Sequence, residues 1–139
     1  MPRDRFTHVT TWVFDLDNTL YHPHTRLFDQ IEGRMTAFIM RELRVDAAEA
    51  AHLRARYWAE YGTTLAGLMA CHGTDPDPFL HEVHDICFDR LSPDPDLRER
   101  LGRLPGRRIV YTNGSAPYAR EVLAARELAE AFDAVYGVE

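Results

Sequence analysis

Asp15 and Asp17 stand two residues apart at the end of a short apolar run, Trp12-Val13-Phe14, and Thr19 follows two residues later. A buried strand has no use for bare carboxylates at its end, because desolvating an unpaired charge is costly. A hard divalent cation such as Mg²⁺, which prefers carboxylate oxygen, would neutralise them. Residues i and i+2 of an extended strand point to the same side, and a turn beginning at Leu16 would swing the second acid over the first. One carboxylate can then attack as a nucleophile while the other trades a proton with the leaving group. The same Asp-x-Asp-Asn string also suits an ordinary turn after a strand. A second group bears on that choice. Thr112-Asn113-Gly114-Ser115 places a hydroxyl and free backbone N–H groups where a strand enters a helix, a ready anion site, and Gly114 permits close backbone approach. An acidic metal site beside an anion site suits phosphoryl transfer.

These residues need strands and helices to hold them. Val9 to Phe14 reads as a buried strand, continuous, β-branched and aromatic. From Thr25 the period becomes helical, with Leu27, Ile31, Met35, Phe38 and Leu43 recurring every three to four residues. Asp46 and Glu49 form a capping box for a helix that carries Ala50, Leu53, Tyr57 and Tyr61 inward and stops at Gly62. Thr64 to His72 is a shorter helix closed by Gly73. Asp77-Pro78 and Asp94-Pro95 each pair an N-cap with a first-turn proline. The helix opened by Asp94 runs through Leu97, Leu101 and Leu104. Ile109 to Thr112 is a second strand, Ser115 caps a helix running to about Ala131, and Ala134 to Val138 begins a third strand. The expected fold class is α/β: a Rossmann-like parallel-sheet core from residues 1–21 and 96–139, incomplete in this chain, with an all-helical cap inserted at 22–95.

Composition narrows the partners. With 139 residues, 45% of them hydrophobic and 27% charged, the chain reads as an ordinary globular protein. A net charge of −6 gives no electrostatic case for nucleic acid or an anionic membrane. No apolar stretch suits a bilayer and no signal-peptide core follows the N-terminus, so the cytoplasm is the expected location. All 16 basic residues are Arg; lysine is absent.

Phe14-Asp15-Leu16-Asp17-Asn18-Thr19-Leu20-Tyr21 resembles the first signature of the haloacid dehalogenase-like hydrolase superfamily, and Tyr111-Thr112-Asn113-Gly114-Ser115 resembles its second. The roughly 95 residues between them resemble the helical cap of one branch. Two acids in the first signature resemble the phosphatases, since the dehalogenases lack the second. Tyr61 to Leu68 and Leu104-Pro105-Gly106-Arg107-Arg108 are similar to the pyrimidine 5′-nucleotidase group. The resemblance implies a Mg²⁺-dependent phosphatase acting on a small phosphorylated metabolite, a nucleoside monophosphate first among them. Phosphoglycolate or a sugar phosphate is the alternative substrate. It also implies roles: Asp15 as the nucleophile that forms an aspartyl-phosphate, and Asp17 as the acid and base. The Asp15 carboxylate and Asp17 backbone carbonyl would hold the metal; Thr112 and Asn113 would bind phosphate. The family's third signature, a lysine or rarely an arginine, and its fourth, an acidic pair, both follow the third strand, and the chain closes at Val138-Glu139. This reads as a truncated member, whose alternative function is that of a catalytically inactive fragment or interaction module. Its first strand would be an open apolar edge, a route to self-association.

Other groups have plainer readings. His81, His84 and Cys87, near Cys71-His72, have a zinc-like composition, but steps of three drift around a helix and do not share one tight face; Cys87 is expected to be a small buried hydrophobe. Tyr57, Trp58 and Tyr61 could stack on a base, though at helical spacing they are more often core. His22-Pro23-His24 reads as a solvated loop beside the acids.

Overall fold

In the computed structural model, which describes residues 2–139, three parallel strands lie in the order β1 (Thr11–Phe14), β2 (Arg107–Tyr111), β3 (Ala134–Tyr136). Six α-helices accompany them among the described residues: α1 (Leu27–Leu43), α2 (Ala47–Tyr61), α3 (Thr64–His72), α4 (Pro76–Val83), α5 (Pro95–Gly102) and α6 (Ala116–Ala125). The class is therefore α/β. The chain divides into two compact units, one running to Thr25 and resuming at Phe88, the other Arg26–Cys87. The sequence boundaries at 22 and 95 fall four and eight residues outside the helical unit. Residues Pro23–Thr25 form a 3₁₀ turn, and the approach to α5 is tied to the first unit by Asp94, whose N–H donates to the Arg126 carbonyl.

In the first unit, Phe14 pairs with Val110 and Val110 with Val135, which brings the carboxyl ends of β1 and β2 side by side. Val110, Ala119, Val122, Leu123 and Leu128 are fully buried. β1 is shorter and more exposed than the apolar run suggests. Val9 is used in a turn, its N–H donating to the Phe6 carbonyl. Trp12 and Phe14 are half-buried while Val13 is 62% exposed, because the two-residue period sends Val13 to the opposite face. β1 is also the end strand of the three, so its outer edge pairs with none of the described strands. Gly106 takes φ +84, and a Cβ there would run into the Thr10 carbonyl, so the turn into β2 requires glycine.

The helical unit has its own core of Leu27, Ile31, Phe38, Ile39, Ala50, Leu53, Tyr57, Leu68, Phe79 and Val83. α2 opens on Asp46, whose carboxylate accepts from the Glu49 N–H at 2.8 Å. A Cβ at Gly67 would overlap Tyr57, so α3 crosses α2 at backbone range. Arg41 grips Glu82 through both guanidinium N–H groups at 2.8 and 2.7 Å, joining α1 to α4.

Several element ends differ from the sequence reading. α4 begins at Pro76, not at Asp77-Pro78: both dipeptides carry the same signal, and Asp75 is the N-cap, its carboxylate accepting from the Asp77 N–H. α5 stops at Gly102, leaving Leu104 outside it. α6 ends at Ala125 instead of Ala131. Glu127 adopts φ 52 and the Leu128 N–H reaches back to the Leu123 carbonyl at 2.8 Å, a left-handed stop normally signalled by glycine. A separate 3₁₀ turn covers Ala129–Ala131. β2 spans Arg107–Tyr111, so Thr112 lies just beyond it, and β3 ends at Tyr136 rather than Val138. Tyr61 is 44% exposed at the last turn of α2 and not inward. Cys87 is exposed, its backbone N–H and carbonyl held by the Gln30 side chain, so it packs as a loop residue and not as a buried hydrophobe.

Candidate functional site

Asp15 follows the last residue of β1 and Thr112 follows the last residue of β2. Because the two strands are adjacent and parallel, both residues emerge at the same end of the sheet, where open α/β sheets place ligands. The chain then turns sharply. The Leu16 carbonyl accepts from the N–H groups of Thr19 and Leu20 at 3.1 and 2.9 Å, and Asn18 takes the left-handed conformation at φ 57. Leu16 is fully buried and anchors this turn in the core.

The two acids receive different surroundings. Asp15 is exposed, and its Oδ2 accepts from the Thr19 hydroxyl at 2.9 Å. Asp17 is half-buried, and its Oδ1 accepts from two phenols, Tyr21 at 2.8 Å and Tyr118 at 2.7 Å. Burial pushes the Asp17 carboxyl above the ordinary carboxylate range; the Tyr118 and Tyr21 hydroxyls oppose that rise and the nearby Asp15 adds to it. Burial and the charge of Asp17 hold both phenols above their usual range, so they remain protonated donors. One acid is thus in water, and its neighbour is withdrawn from it and resists ionisation.

Thr112 is buried, and its hydroxyl accepts from the Gly114 N–H at 3.0 Å, closing a tight turn. Asn113 is exposed at the tip. Ser115 caps α6 by accepting from the Tyr118 N–H at 3.3 Å. The exit of β3 braces this loop: the Val138 N–H donates to the Gly114 carbonyl at 3.0 Å, and the Glu139 carboxylate accepts from the Ala116 N–H at 2.9 and 3.2 Å. The first amide of α6 is therefore already aimed at an oxyanion. Among the described residues no hydrogen bond joins Thr112 or Asn113 to either acid; the link between the two strand ends is Tyr118.

Tyr118, Tyr21 and Arg126 belong to this region, though their types alone did not mark them for a role. A phenol within the apolar stripe of a helix, as Tyr118 is with Ala119, Val122 and Leu123, signals a buried hydroxyl in need of an acceptor. Arg126 donates to the carbonyls of Leu20 and Ser92 at 3.2 and 2.6 Å and to the Asp94 carboxylate at 2.9 Å. It ties the end of the acidic loop to the segment before α5.

The remaining sequence candidates lie elsewhere. His72 pairs with the Tyr57 hydroxyl at 2.7 Å and His84 with the Leu80 carbonyl at 2.9 Å. Cys71 and Cys87 are exposed free thiols. Tyr57 is buried, whereas Trp58 is 67% exposed. His22 and His24 stack beside the acidic loop with their Nδ1 atoms in contact. Among the described residues no three His, Cys, Asp or Glu side chains gather as a metal cluster, and no helix is long and apolar enough to cross a membrane.

A family model described as haloacid dehalogenase-like hydrolase matches residues 9–139. The chain belongs to the haloacid dehalogenase-like hydrolase family. The chain is similar to Phosphate metabolism protein 8 of Saccharomyces cerevisiae, 29% identical over 133 residues that make up 88% of the chain and 41% of the relative. It is also similar to (S)-2-haloacid dehalogenase of Xanthobacter autotrophicus, 28% identical over 138 residues, 91% of the chain and 54% of the relative. The chain thus spans about half the length of these curated relatives.

Proposed function

We propose that this hydrolase cleaves phosphomonoesters of small metabolites through an aspartyl-phosphate on Asp15, with pyrimidine nucleoside monophosphates as the first substrate class. The observation that carries the reading is the contrast between the exposed Asp15 and the half-buried Asp17, whose carboxyl burial pushes above the ordinary carboxylate range. An attacking carboxylate must be ionised and accessible, while an acid that protonates a leaving oxygen must hold its proton near neutral pH. In the first step the Asp15 oxygen forms a bond to phosphorus, the ester P–O bond breaks, and the Asp17 proton goes to the leaving oxygen. In the second, Asp17 takes a proton from water as the water oxygen attacks phosphorus and the bond to Asp15 breaks. Thr112 and Asn113 would bind the phosphoryl oxygens, next to a helix N-terminus. The name of the yeast relative, a phosphate metabolism protein, agrees with this chemistry.

The donors fit Mg²⁺, because both are oxygen ligands and this ion commonly takes one or two carboxylates with water completing its shell. The Asp15 carboxylate and the Asp17 carbonyl would hold it. When bound it would offset the repulsion between Asp15 and the phosphate.

A second reading is that of an inactive or interaction module. One assay separates the two: phosphate release by the purified chain with Mg²⁺ from uridine, cytidine and thymidine monophosphates, phosphoglycolate and a hexose phosphate. The phosphatase reading expects release that Asp15→Asn abolishes and that is greatest with the nucleotides. Release unchanged by Asp15→Asn overturns the mechanism, and no release from any ester supports the inactive reading.

A further inference from the structure

The geometry points to Tyr118 and Tyr21 as positioning residues that decide which oxygen of Asp17 moves the proton. The inference rests on the phosphatase reading. A carboxylate oxygen offers two lone-pair sites. Both phenols donate to Oδ1 of Asp17, at 2.7 and 2.8 Å, so that oxygen has its full complement of acceptor bonds. Among the described residues no partner reaches Oδ2. Oδ2 is thus the oxygen left to carry the proton, give it to the ester oxygen as the P–O bond breaks, and take one back from the attacking water.

The two phenols are built to hold this orientation. Each residue is only 2% exposed. Tyr21 lies one turn beyond Asp17 and is fixed by the left-handed Asn18 between them. Tyr118 arrives from α6, 101 residues away in sequence. Its backbone N–H is bonded to the Ser115 cap and its ring lies against Phe88 at 6.1 Å between centroids. The same helical turn therefore presents the anion loop at one end and aims the acid from the other, so the carboxyl is oriented relative to the place where the phosphate would sit. Orientation of this kind affects the rate of proton transfer more than substrate binding.

The test uses Tyr118→Phe and Tyr21→Phe, which keep the rings and the packing. Single-turnover release is compared for a nucleoside monophosphate, whose alkoxide needs a proton, and 2,4-dinitrophenyl phosphate, whose leaving group does not. Tyr118→Phe is expected to slow the first roughly 10-fold to 100-fold with little change in KM, and to leave the second within about twofold. Equal losses on both esters, or no loss on either, overturn the assignment. A second readout needs no turnover: the Asp17 Hα–Hβ couplings measured by nuclear magnetic resonance. One rotamer in the wild-type chain and an averaged one in Tyr118→Phe and Tyr21→Phe support the positioning role, and an unaltered rotamer in both variants overturns it. If the rotamer responds but the wild-type chain releases no phosphate, the phosphatase reading fails while the positioning of Asp17 stands.

Discussion

A carboxyl that must give up a proton and recover it works best where its surroundings oppose ionisation, and Asp17 has such surroundings two residues from an acid that is exposed. The difference comes from solvent access, since burial is the largest cause of the raised Asp17 pKa. Folding stability should register it. For an acid whose pKa is higher folded than unfolded, the unfolded chain releases the proton first as pH rises. Stability therefore falls above the ordinary carboxylate range and returns on acidification. Asp17→Asn keeps an oxygen for both phenols and cannot ionise, so it removes this slope. In metal-free buffer the variant should equal or exceed the wild-type chain in urea resistance at about pH 7, with its advantage shrinking towards about pH 4. An advantage that grew on acidification would contradict the burial of this group. Arg126 illustrates the complementary case. Its part-buried guanidinium carries donors that need acceptors, and it collects three oxygens from two loops.

Apart from α1, the α-helices described here take their starts from side chains, and their ends are set by backbone geometry. Asp46, Thr63, Asp75, Asp94 and Ser115 each accept from an N–H in the first turn of the helix they open. These starts are readable because a cap and its amide lie within three residues of each other. Ambiguity arises when two caps compete, as Asp75-Pro76 and Asp77-Pro78 do. Asp75→Ala should cost about 1 kcal/mol in a denaturant titration, whereas Asp77→Ala, which loses only a charge near the helix N-terminus, should cost about 0.3–1 kcal/mol at most. The reverse order would restore the later start. Ends are harder to read. Arg44 and Glu127 adopt left-handed backbone at helix stops without being glycine, so the ends of α1 and α6 carry no residue-type signal. What halts α6 is the packing of Leu128, which is fully buried.

At the scale of the molecule, a helical unit is inserted between the first strand and the rest of an α/β unit, and each has its own buried core. The helical unit closes on itself through Arg41–Glu82, Arg54–Glu32 and the two bonds between Gln30 and Cys87. A chain of residues 26–87 alone is therefore expected to keep its helical circular dichroism and melt cooperatively; a featureless, gradual loss of signal would show that its core needs the other unit. Sequence alone determined the parts governed by close neighbours: the alternation of strand and helix, the two strand-end motifs around Asp15 and Thr112, most helix starts, and the class of the fold. Propensity, periodicity and caps act over a few residues, and those can be read in order. Only the tertiary structure decided which face of β1 is exposed, how the two acids differ in solvent access, and that Tyr118 reaches Asp17 from 101 residues away. Those outcomes depend on which surfaces the folded chain brings together, and a phenol on a helix says nothing about its acceptor until the helix is packed beside the turn that carries it.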